Sequence, residues 1–61
     1  MCEFNVIVDG KIVFKEVVYA RMENKNVIVK DVLGESMKFG NCQIIEVDVS
    51  STRLVLSSLN V

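Results

Sequence analysis

Few side chains in this sequence can do chemistry, and the least expected of them is a cysteine at the second position. The chain opens Met1-Cys2-Glu3-Phe4. Cysteine that only packs is among the most buried residue types, whereas the first residues of a domain are usually its least ordered part. Beside the chain's own amine, a thiolate becomes part of a chelate. With Met1 in place, the Met1 amine, the Cys2 amide and the Cys2 thiolate can close fused rings on one ion. With Met1 removed, Cys2 supplies both amine and thiolate. Thiolate softness excludes magnesium and calcium, and tetragonal nitrogen donors suit Cu(II) or Ni(II). The thiol must lose its proton to bind, so affinity falls with pH. Each chain offers only two or three such donors, and a two-fold dimer with both N-termini at its interface would complete the set. The plainer reading is an edge-strand cysteine without a role.

Other chemistry is largely excluded. The sequence has no histidine, which removes Ser-His-Asp and Cys-His catalysis and every imidazole ligand. It has no GxGxxG, Walker loop, CxxC or HExxH motif. Glu46 and Asp48 alternate with Ile45 and Val47 and share a strand face, which reads as a solvated face rather than an acid/base pair. Cys42, close to Ile44, reads as a small buried core residue. Lys11, Lys15, Arg21, Lys25 and Lys30 gather in the first half, around the second strand and its turns, and small barrels often host RNA, so a small-barrel RNA-binding protein is the alternative. Against it, Asp9, Glu16, Glu23 and Asp31 are interleaved with these cations, and the eight acids outnumber the seven bases. The expectation is a protein that is not an enzyme, with RNA binding disfavoured and kept only as the alternative.

The elements that must position these residues are strands. The sequence has no proline, and alanine occurs only at Ala20. Turn signals recur every eight to twelve residues, the spacing of a small all-β fold. A first strand over Cys2 to Val8 places Cys2, Phe4, Val6 and Val8 on one face. Asp9-Gly10 marks a type I′ hairpin. The next strand carries Ile12 and Phe14 inward. Val17 and Val18 then break the alternation, which predicts a bulge or sharp bend near Lys15-Glu16. Beyond it, Val18, Ala20 and Met22 alternate with Tyr19 and Arg21. Glu23 to Asn26 reads as a turn, and Val27 to Leu33 as a strand apolar on both faces and hence a candidate dimer contact. A turn centred on Gly34 leads to a short strand with Met37 and Phe39 inward. A strand over Cys42 to Val49 groups Ile45, Val47 and Val49 on one face, with Cys42 and Ile44 on the other. A closing strand follows Ser50-Ser51-Thr52. The prediction is an all-β, SH3-like barrel of about six short strands in meander order, forming a single domain over residues 1–61.

A chain of 61 residues buries only about 60% of the surface it exposes when unfolded, so help from a partner subunit is expected, and a homodimer is the default closed form. The N-terminus shows acidic and polar residues where a signal peptide would have its apolar region, and no run approaches the length of a membrane span. The expected setting is the cytoplasm, with both thiols free.

Taken together, the Met1-Cys2 start, the Asp9-Gly10 hairpin, the stretch EVVYARMENKNVIVKDVLGE and the terminal IIEVDVSSTRLVL resemble the CooT family. These are small accessory proteins linked to nickel insertion into carbon monoxide dehydrogenase. The resemblance covers nearly the whole chain. It implies a homodimer of small β-barrels that binds Ni(II) through Cys2, shared across the dimer, with a nickel enzyme such as carbon monoxide dehydrogenase as partner. It carries no role to Cys42.

Overall fold

The computed structural model describes residues 3–59. They form six strands, β1 (Phe4–Val8), β2 (Lys11–Glu23), β3 (Asn26–Asp31), β4 (Ser36–Phe39), β5 (Cys42–Asp48) and β6 (Arg53–Ser58), and no helix. All six belong to one sheet in the order β4-β3-β2-β1-β6-β5. The turn chemistry explains where the strands end. Asp9 and Gly10 both adopt positive φ, 52° and 77°, which is what a type I′ hairpin requires. Gly34, at 87°, serves the β3–β4 turn. Asn24 and Asn41, both at 57°, serve the turns before β3 and β5, as asparagine tolerates this region well.

The thirteen residues of β2 do not run straight. Glu16 adopts φ 61°, the register against β1 shifts between Val6↔Phe14 and Phe4↔Val17, and the expected bend at Lys15-Glu16 is therefore present. A further shift follows between Val17 and Tyr19 in the pairing with β3. Bulges of this kind increase local twist and bend a strand. They let β2 pair with β1 in its first half and with β3 in its second. The core gathers inside that bend: Val6, Val17, Val27, Val29, Cys42, Leu54 and Leu56 are buried, with Phe4, Val8, Phe14, Phe39 and Ile44 packed against them.

Two expectations are corrected. The sheet does not close into a barrel, and its order is not a meander. β6 lies between β1 and β5, parallel to β1 through Asn5↔Arg53 to Val8↔Leu56. β4 and β5 are left as the two edges, although only Gly40 and Asn41 separate them. The backbone groups at that turn bond elsewhere. The Cys42 amide donates to the Lys25 carbonyl at 2.9 Å, and the Leu59 amide donates to the Asn41 carbonyl at 2.8 Å.

At the β5–β6 turn, the Asp48 carboxylate accepts from the Ser51 amide at 3.2 Å. Hydrogen bonds from Ser51, its side chain first and its amide second, hold this carboxyl below the ordinary aspartate range. A folded-state pKa below the unfolded one gives a contribution fully present above about pH 4. It is lost as pH falls through the folded value. The urea midpoint of the wild type should therefore drop on going from about pH 6 to about pH 3 by more than that of Asp48→Asn. Equal drops in the two proteins would contradict this account of the turn.

Candidate functional site

The N-terminal entry to the sheet is the one place where the sequence assembles ligand chemistry. Cys2, the predicted metal ligand, lies outside the described residues. What the structure shows is the setting into which its strand leads. β1 begins at Phe4, whose partner on β2 is Val17, and the Asn5 amide donates to the Thr52 carbonyl at 2.8 Å, fixing that entry to the β5–β6 turn. β2 continues beyond Val17, so its later residues have no β1 partner among those described. Beside this entry opens a cleft of about 260 Å³, lined by Phe4, Val18, Ala20, Ile44, Val47 and Leu54 among others.

The cleft follows from two phase slips. On β2, the shift after Val17 leaves Val18 40% exposed and sets Ala20 opposite the buried Val29. On β5, a shift between Ile44 and Glu46 makes Ile45 the extra residue. Cys42, Ile44 and Val47 thus face Ser58, Leu56 and Leu54 across the β5–β6 pair, which places all three on the inner face. The expected grouping of Ile45 and Val47 apart from Cys42 and Ile44 is therefore corrected. That grouping follows from uninterrupted alternation, and one bulged residue reverses it. Sequence reasoning missed the cleft, although the adjacent apolar pairs Val17-Val18 and Ile44-Ile45 were its signal.

Chemically the cleft is almost all hydrocarbon. It offers apolar contact and not metal ligation. Among the described residues, no three cysteines, aspartates or glutamates converge on a point where an ion could sit. Glu46 is exposed, and Asp48 is occupied with its turn. Cys42 is free and buried, 8% exposed within the core, and its thiol donates to the Gly40 carbonyl at 3.5 Å, as expected of a packing residue.

The candidate dimer strand is also revised. β3 ends at Asp31, so Val32 and Leu33 belong to the following turn. Val27 and Val29 are fully buried, whereas Leu33 is 81% exposed. The predicted cation group is divided as well. Lys11 and Lys15 precede the bend of β2, and Arg21 and Lys30 follow it on the β2–β3 ladder.

No described helix is long and apolar enough to cross a membrane. No curated protein matches the sequence. A family model described as CO dehydrogenase accessory protein CooT matches residues 1–57, from the N-terminal Met1-Cys2 into the last strand. That family is an accessory one and not a catalytic one. On the strength of a match over almost its whole length, the chain belongs to the CooT family of CO dehydrogenase accessory proteins.

Proposed function

We propose that this protein is a cytoplasmic metallochaperone that holds Ni(II) at a site shared across a homodimer. It would serve the maturation of carbon monoxide dehydrogenase or of another nickel enzyme. The observation that carries this reading is the family match, which includes Cys2 and points to an accessory role for a nickel enzyme. The residue chemistry supports it. A thiolate next to an amine and an amide is a soft, nitrogen-rich donor set, and one copy is too small to saturate an ion.

The described fold supports a dimer in which two copies meet near the N-terminal entry. The cleft beside Phe4 is lined in part by Val18 and Val47, which are 40% and 57% exposed. Apolar surface of this kind on a small protein marks an interface. A two-fold contact there would bring two β1 strands, and the residues leading into them, to one seam.

Calorimetric titration tests the assignment. Wild type is expected to take up one Ni(II) per two chains, and Cys2→Ser to lose at least about tenfold in affinity, roughly 1.4 kcal/mol. Cys42→Ser should keep the wild-type stoichiometry and affinity. It should unfold more easily by about 1–2 kcal/mol, because a hydroxyl replaces a small apolar group in the core. Equal nickel binding by wild type and Cys2→Ser would remove the proposal.

A further inference from the structure

The outer face of the β2–β3–β4 half of the sheet is strongly biased in charge. Residues paired directly across a ladder stand on the same face, so the registers define two rows. Tyr19, Lys30 and Ser36 form one, and Arg21, Ile28 and Lys38 form the other. The residues between them point inward: Val27 and Val29 are fully buried on the core side. The outward rows therefore present Arg21, Lys30 and Lys38, joined only by Glu23 as an acid on the same face of β2. This excess of cations occurs on a chain whose net charge is −1. It was invisible in the linear pattern, where these cations alternate with Glu23, Asp31 and Glu35. Asp31 is in fact buried and turned to its own loop.

The polar groups of the face touch one another only loosely. The Arg21 guanidinium donates to the Tyr19 hydroxyl at 3.3 Å and lies 3.4 Å from the Glu23 carboxylate. The Lys30 ammonium stands 5.7 Å from the centre of the Tyr19 ring. These contacts are long and solvent-exposed, so exchanging them for a partner's carboxylates costs little. Ile28, half-buried in the middle of its row, gives the face an apolar centre.

We infer that this face is a docking surface for an acidic protein, one presenting carboxylates around an apolar side chain. Charge complementarity selects the sign of the partner. Tyrosine and arginine around an apolar centre are the residue types that anchor protein contacts. A single-stranded nucleic acid fits less well. Such binders need successive aromatic platforms for stacking. Here Tyr19 is the face's only aromatic, and its ring and hydroxyl are already engaged by Lys30 and Arg21. The inference goes beyond the nickel reading and does not depend on it.

The test is fluorescence anisotropy with a fluorescein-labelled, glutamate-rich peptide carrying one central leucine. Wild type should bind it, and raising the salt from about 0.05 M to about 0.3 M should weaken binding severalfold. The double variant Arg21→Glu/Lys38→Glu should bind at least about tenfold more weakly, a loss of roughly 1.4 kcal/mol. Lys11→Glu/Lys15→Glu changes net charge equally but lies before the bend, and it should bind as wild type does. No binding by wild type at low salt would overturn the inference. So would equal losses in the two double variants, which would reduce the effect to net charge. Tighter binding of an oligo-uridylate of matched charge, lost in the Arg21/Lys38 variant, would assign the face to nucleic acid instead.

Discussion

Leu56→Ala is expected to lower the stability of this protein by about 2–5 kcal/mol. Leu56 is 1% exposed and is among the largest fully buried side chains. It sits where three strands meet, opposite Val8 on β1 and opposite Ile44 on β5. Truncation removes the transfer free energy of the lost atoms and leaves a cavity that neighbouring strands, fixed by their ladders, cannot fill. A domain of this size has about 3–9 kcal/mol of total stability. The loss is thus at least a large fraction of the whole, and each kcal/mol lowers Tm by about 4–8 °C in so small a protein. Thermal unfolding followed by circular dichroism measures it. Ile45→Ala is the control: Ile45 is the extra residue of the β5 bulge and is 56% exposed, so its loss should stay within about 0.5 kcal/mol. Similar Tm values for the two variants would mean that the core does not centre on the β1–β6–β5 junction.

Local features of this fold were legible in the sequence, and long-range ones were not. Asp9-Gly10 announces its hairpin because only one common turn type suits two adjacent residues at positive φ. The bend at Glu16 is legible because the apolar alternation visibly slips there. The bulge at Ile45 was missed for the opposite reason: Ile44, Ile45 and Val47 allow two phases, and only the pairing with Leu54 and Leu56 selects one. The insertion of β6 between β1 and β5 has no local signature at all. It joins residues at opposite ends of the chain, and a strand's partner is not encoded in its own pattern.

The candidate site divides in the same way. Cys2 is legible as chemistry, since a thiol beside an amine is a ligand set whatever the fold around it. The apolar cleft beside Phe4 is not, because it exists only where β2 outruns β1 and β5 remains an unpaired edge. The cation-rich face was misread for a related reason. Sequence adjacency mixed Asp31 with Lys30, while the strand pairing separates them onto opposite sides of the sheet.

That separation makes Asp31 the second position of large effect. Asp31→Ala is expected to cost about 2–4 kcal/mol. Asp31 is only 9% exposed, and one carboxylate oxygen accepts from the Leu33 amide at 2.9 Å and from the Glu35 amide at 2.9 Å. Its own amide donates to the Glu35 carbonyl and its carbonyl accepts from Gly34, so the side chain closes a loop that the backbone alone would hold loosely. The next residue, Val32, donates its amide to the Glu16 carbonyl at 3.0 Å, tying the loop to the bend of β2. Alanine leaves two partly buried amides without acceptors. Asparagine keeps an acceptor oxygen but loses the charge that strengthens both bonds. Asp31→Asn should therefore lose less, about 1 kcal/mol. Urea unfolding of the three proteins gives the order, and native-state hydrogen exchange locates it: in Asp31→Ala the Leu33, Glu35 and Val32 amides should lose protection before those of β1 and β6. Equal stability of the alanine and asparagine variants would show that Asp31 contributes by packing rather than by holding the turn.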